Sequence, residues 1–169
     1  MMRHGSPFRD RRGAAAAEMA LVAPLLCAIM IGSVELGSYF YNEHILVKAV
    51  RDGARYAARQ SFTNYGCSGA PTGSVVANTQ ALVRTSLLSS GTDRFPDIQN
   101  GDITLSTSCK TTEGGQSMTN GVYKGMATGA PIVTVQATVD YEPVIGAAFG
   151  FSGVGMHLNA SQQAAVMGI

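Results

Sequence analysis

The sequence predicts an α+β protein. A long N-terminal helix, membrane-spanning in its first half, packs on a small antiparallel sheet of about three strands beside one additional helix. Three observations carry this reading. From Met19 through Val34, sixteen residues pass without a charged side chain. With Ala14–Ala17 before and Leu36–Tyr41 after, the run exceeds the about 20 residues a bilayer requires. No stop signal follows, since Tyr41–Arg59 contains neither Pro nor a capping cluster and only Gly53 interrupts it. From Ile103 onward the apolar residues recur at period two, as in half-buried strands. The 169 residues leave room for one span and one small domain. They divide into a basic leader at 1–13, a transmembrane helix at 14–41, a helical spine extension at 42–60 and an extracytoplasmic α+β domain at 61–169.

The leader sets the topology. Arg3, Arg9, Arg11 and Arg12 stand against Asp10, a net of +3, whereas residues 14–169 hold eight basic and ten acidic side chains, a net of −2. Positive charge ahead of a first span keeps that end in the cytoplasm, so a single pass with the C-terminal domain outside is expected. No basic patch follows of the kind that binds nucleic acid.

Glu18 is the exception in the apolar stretch. A carboxylate in hydrocarbon costs about 3 kcal/mol at mid-membrane and less near an end. Cleavage after Gly13 would free the amine of Ala14, and residues i and i+4 share one helix face. That ammonium and Glu18 could then neutralise each other, within one subunit or between two. Two alternatives use the same residues: an uncleaved signal anchor that tolerates the acid, and a secretory signal cut near Gly32-Ser33-Val34. The helical pattern running past Val34 speaks against the second.

Pro24 sits inside the span, where it would bend the helix and free a carbonyl, as membrane helices tolerate. Gly32 and Gly37 would let another helix approach. Glu35 is expected at the outer rim of the membrane, with Tyr39 and Tyr41 as interfacial anchors. Beyond it Ala49, Gly53 and Ala57 make a stripe of small residues, read as packing against the sheet or, alternatively, against a second subunit. Asp52 can reach Lys48 and Arg55 along another side.

Ser61–Gly73 reads as a loop. Ser74 should cap a helix running through Leu88, with Val76, Val83 and Leu87 on one face and Gly91 as its stop. Thr92–Gly101 is polar and turn-like. A strand follows with Ile103, Leu105, Thr107 and Cys109 inward, and Thr111–Ala130 reads as a long mobile loop. Pro131 opens the strongest strand, with Val133, Val135, Ala137, Val139 and Tyr141 facing one way, and Pro143 ends it. Gly146–Gly155 connects to a last strand near Met156–Val166, with Leu158 and Ala160 inward. Of the three cysteines, Cys27 lies in the span. Cys67 and Cys109 are the natural disulfide in an exported compartment, two free thiols being the alternative.

The Gly13–Glu18 spacing, with its leader and apolar helix, resembles the type IV prepilin class. More closely, the chain is similar to the TadE-like family, minor pilin-like proteins of the Tad (tight adherence, Flp type IVb) pilus system. The resemblance rests on Arg12-Gly13-Ala14-Ala15-Ala16-Ala17-Glu18 and Ala20-Leu21-Val22-Ala23-Pro24-Leu25-Leu26. It continues through Glu35-Leu36-Gly37 and Ala49-Val50-Arg51-Asp52-Gly53-Ala54-Arg55-Tyr56-Ala57-Ala58, close to an A-x-R-x-A-A-R-Y-A pattern. It is specific over residues 9–60 and loose beyond. Met19 replaces the usual Phe or Tyr, and Gly53 the usual Ala.

The resemblance implies a pilin-like fold and a minor pilin or pseudopilin, held in the inner membrane by its helix and able to join or to prime an extracellular pilus. A prepilin peptidase would cut between Gly13 and Ala14, and Glu18 would set the register of assembly. The implied partners are that peptidase, other Tad pilus subunits, the inner-membrane assembly platform and membrane lipid. The implied role is pilus assembly, adherence and biofilm formation. A signal-anchored envelope binding or scaffold domain outside any fibre is the alternative function. No catalytic constellation is legible, so neither an enzyme nor a cofactor is expected. His4, His44 and His157 are too scattered for a triad or a zinc site. Asp93, Asp97 and Asp102 share a turn but lack the spacing of a calcium loop.

Overall fold

The computed structural model describes residues 11–126, 128–145 and 155–168. Most of the leader with His4, and most of the Gly146–Gly155 connection, lie outside the described residues. The chain divides into two compact units, one of Met1–Tyr39 with Pro143–Ser152, the other of Phe40–Glu142 with Gly153–Ile169. The boundary falls inside a helix.

Helix α1 spans Arg11–Ala58 and includes Pro24. In the first unit its apolar side chains are exposed, among them Leu21, Leu25, Leu26, Ile29 and Met30. In the second unit one side is buried: Leu46, Ala49, Val50, Ala54 and Ala57 have no exposure. The last turn finds acceptors' partners one by one, as a buried helix end must. Arg59 and Gln60 donate 3₁₀-type backbone bonds to the carbonyls of Tyr56 and Ala57. The Tyr65 hydroxyl also donates to the Ala57 carbonyl, and the Met167 N–H reaches that of Ala58 at 2.8 Å.

Helix α2, Val75–Thr85, buries Val75, Thr79 and Val83. It stops short of Leu88 because Ser86 takes a left-handed conformation (φ 68°) and its N–H returns to the Leu82 carbonyl. Leu87 is therefore outside the helix and exposed, and Val76 is not on the buried face. Gly91 lies beyond this stop, packed against Thr85 and Leu87, where an added Cβ would come within 3.1 Å of each. The Ser74 side chain makes no cap bond; its carbonyl accepts from the Asn78 N–H instead.

Three strands form the main sheet in the order β1–β4–β5, with β1 at Ile103–Lys110, β4 at Ala130–Asp140 and β5 at His157–Ala165. All pairings are antiparallel, and Ile103, Ala137 and Ala160 align in one row, Leu105, Val135 and Gln162 in the next. Period-two alternation puts Val133, Val135, Ala137, Val139 and Leu158 in the core. Arg51, Ala54 and Arg55 of α1 line one crevice with Gln162, Gln163 and Ala164 of β5, which sets the Phe40–Ala58 half of the helix beside the sheet.

Gly53 departs from the sequence reading. It faces α2, where an added Cβ would lie 2.6 Å from Val83 Cγ2 and 3.2 Å from Thr79 Cγ2. The small residue at this point of the stripe serves helix–helix contact within the chain, not contact with the sheet. Asp52 meets Arg55 at 3.9 Å. Thr92–Gly101 is more than a turn, since Phe95 and Ile98 are buried. The Arg84 guanidinium fastens it, donating to both Asp93 carboxylate oxygens (3.1 and 2.8 Å) and to Asn100 Oδ1 (2.9 Å).

The segment read as a long mobile loop holds a short hairpin, β2 (Thr112–Glu113) with β3 (Gln116–Ser117). Gly114 and Gly115 turn it with φ of 56° and 80°, the positive pair a two-residue turn demands.

Candidate functional site

The features that bear on function lie along α1, and each takes its setting from the helix. Gly13 is helical, and a Cβ there would meet nothing within 4 Å. A helix interior prefers Ala to Gly by about 1 kcal/mol, so neither packing nor helix propensity accounts for this glycine. Ala14 follows it, exposed. Glu18 stands one turn further, also exposed, and makes no hydrogen bond or ion pair among the described residues. In the intact chain the Ala14 nitrogen belongs to a peptide bond and carries no charge. Glu18 therefore has no cation from that position until the bond before Ala14 is broken.

Gly32 and Gly37 resemble Gly13 in meeting nothing within 4 Å. They contrast with Gly53, whose hydrogen is all that its neighbours allow. Pro24 and Cys27 are exposed on the same apolar stretch. Gly13–Ala58 contains the one helix, among the described residues, that is long and apolar enough to cross a membrane.

Near the C-terminal end of the apolar stretch, Glu35 accepts two backbone hydrogen bonds. The Val144 N–H reaches one carboxylate oxygen at 3.1 Å and the Ile145 N–H the other at 3.0 Å. Sequence reasoning placed Glu35 at a membrane rim but missed these partners. Nothing local signals a contact between residues more than a hundred positions apart.

In the second unit, Cys67 and Cys109 form a disulfide closing 42 residues of chain. The same loop covers the open side of β1, where the Gly69 carbonyl accepts from the Thr107 N–H at 2.7 Å. The opposite face of the sheet is polar. A shallow depression there is lined by Asp102, Thr104, Gln136, Thr138, Asp140 and His157, with His157 Nδ1 2.6 Å from Asp140 Oδ1. The three aspartates of the 93–102 turn are committed separately. Asp93 holds Arg84, Asp102 accepts the Gln99 N–H at 2.7 Å, and Asp97 adopts a left-handed φ of 59°. No group of three His, Cys, Asp or Glu gathers among the described residues.

Residues 13–55 match the family model described as TadE-like protein. This segment is TadE-like. No curated protein and no solved structure matches the chain. The TadE-like match begins at Gly13, takes in Glu18, Pro24, Glu35 and Gly53, and ties the chain in general terms to the Tad pilus apparatus. It leaves residues 56–169, with the disulfide and the whole sheet, outside it. Within the TadE-like segment the departure at Gly53 has a physical reason: Val83 occupies the space that an alanine methyl would need.

Proposed function

We propose that the chain is a minor pilin or pseudopilin of a Tad pilus, cut by a prepilin peptidase between Gly13 and Ala14. The observation that carries this reading is Glu18, an exposed carboxylate without a partner among the described residues, on an apolar helix one turn beyond Ala14. Cleavage creates an ammonium on the same helix face. In hydrocarbon the two charges neutralise each other, either within one subunit or between a subunit and the one it joins. The second arrangement makes Glu18 a register mark for assembly with other Tad pilus subunits on the inner-membrane platform.

Gly13 suits the peptidase, since the helix gains nothing from a glycine there. The span holds the subunit in the inner membrane with the domain outside, and the domain beyond residue 60 gives a minor subunit far more surface than a helix alone. Pro24 gives the span a place to bend during assembly. Support for adherence and biofilm formation follows from the pilus.

The test is the N-terminal sequence and intact mass of the membrane-bound protein, with and without the prepilin peptidase. A start at Ala14 that requires the enzyme is expected, and Gly13→Val, which meets no neighbour, should block it. A Met1 start in both cases would leave a signal anchor, and a start beyond Ser33 a secreted domain. Glu18→Ala should still be cut but fail to enter pili. An alanine variant that assembles normally would refute the register role.

A further inference from the structure

We propose that Glu35 clamps the segment Pro143–Ile145 to the C-terminal end of the apolar span, so that Val144 enters the lipid boundary as a second membrane contact. The proposal rests on the membrane-span reading above and adds to it a separate site with its own partner, the lipid surface.

The argument starts from distance along the helix. From Ala14 to Glu35 is about 32 Å at 1.5 Å per residue, close to the roughly 30 Å thickness of a hydrocarbon core. With Ala14 at one boundary, Glu35 stands at the other. A carboxylate at that depth needs hydrogen-bond donors, and backbone N–H groups at that depth need acceptors. Glu35 and the Val144 and Ile145 amides meet both needs, each amide taking a different carboxylate oxygen. An amide cannot accept on both atoms, so the geometry selects a carboxylate over glutamine.

The segment so held is apolar. Val144 is 63 % exposed, and Val34 and Leu36, flanking Glu35 on the helix, are 50 % and 56 % exposed. From Pro143 to Gly155 the sequence carries no ionisable side chain. A soluble connection between strands ordinarily carries polar residues, whereas an interfacial one inserts apolar side chains a few ångströms below the headgroups. Continuity with the exposed apolar helix, and the missing charge, choose lipid as the occupant.

The chain has no tryptophan, so one introduced indole reports alone. The full-length protein is reconstituted in phosphatidylcholine–phosphatidylglycerol vesicles containing lipids brominated either near the headgroup or near the chain ends. Three variants are compared: Val144→Trp, Leu26→Trp in mid-span, and Gln136→Trp on the polar sheet face. Val144→Trp should be quenched several-fold more by the shallow bromines than by the deep ones, with blue-shifted emission. Leu26→Trp should show the reverse depth order, and Gln136→Trp no quenching. Adding Glu35→Ala to Val144→Trp should lower its quenching to the Gln136→Trp level, while Glu35→Ala with Leu26→Trp stays deeply quenched and shows that insertion survives.

Val144→Trp unquenched while Leu26→Trp is deeply quenched would overturn the proposal and leave the span intact. Blue-shifted emission without lipid quenching would overturn it too, since protein would then cover the site. Quenching indifferent to Glu35→Ala would overturn the clamp. An unquenched Leu26→Trp would overturn the span reading and this proposal with it.

Discussion

Gly53→Ala should destabilise the second unit, although alanine is the better helix former and stands at this position in the TadE-like pattern. Two effects oppose each other. Replacing a mid-helix glycine gains about 1 kcal/mol in helix propensity. The new methyl, however, would lie 2.6 Å from Val83 Cγ2 and 3.2 Å from Thr79 Cγ2, where ordinary carbon contacts are about 3.5–4.0 Å. Val83 and Thr79 have no exposure, and a valine on a helix has one strongly preferred rotamer. The clash must be relieved by moving helix against helix, which for an inserted methylene in a packed core costs about 1–3 kcal/mol. The net expectation is a loss of about 1 kcal/mol. The assay is urea unfolding of the detergent-solubilised full chain, followed by near-ultraviolet circular dichroism of the tyrosines. At about 1–3 kcal/mol per molar urea, the midpoint should fall by several tenths of a molar. Val83→Ala removes the opposing methyl, and in that background Gly53→Ala should change sign and stabilise by up to about 1 kcal/mol. An equal effect of Gly53→Ala in both backgrounds would refute the packing argument.

Removing the disulfide through Cys67→Ser with Cys109→Ser should cost about 4 kcal/mol in the chain-entropy model. Cys27→Ser should leave the urea midpoint unchanged, and a full-sized loss on Cys27→Ser would point to a different pairing. Burial, and then the neighbouring Tyr56, push the Tyr65 hydroxyl up from 10.0 to about 12. Its folded-state pKa lies above the unfolded one, so its contribution is complete below pH 10 and is lost as pH rises toward 12. The melting temperature should therefore fall more steeply between pH 10 and 12 in the wild type than in Tyr65→Phe, and parallel curves would contradict this. Arg84→Ala should free the 91–102 segment, which hangs on Asp93 and Asn100. Amide exchange should accelerate around Arg94 while β4 stays protected, and faster exchange throughout the unit would mean that Arg84 supports more than its segment.

What was legible in the sequence depended on how local its cause was. The sheet could be read because Val133, Val135, Ala137 and Val139 alternate without interruption, and one face of each strand is buried. The end of α2 could not, because the apolar Leu87 and Leu88 prolong the helical pattern past a serine that turns left-handed. The β2–β3 hairpin was written in Gly114-Gly115, but its polar flanks, Thr112-Glu113 and Gln116-Ser117, gave no core to look for. Phe95 and Ile98 were hidden by polar neighbours in the same way. On α1, Gly13 and Glu18 stood out because they violate the chemistry around them. Glu35 violates it too, yet its amide partners lie across most of the chain, and no periodicity reaches that far.

The order in which the main sheet is assembled follows from its topology. β4 is its centre, β5 is made after it, and the backbone bonds from Val166 and Met167 to Pro131 and Ala58 come later still. While residues 157–167 are inside the ribosome, β4 lacks one neighbour and α1 lacks a partner for one of its last carbonyls. The apolar span, by contrast, has left the ribosome long before. A chain made from its N-terminus therefore presents its apolar helix well before the domain can close, and the domain closes only around its own last strand.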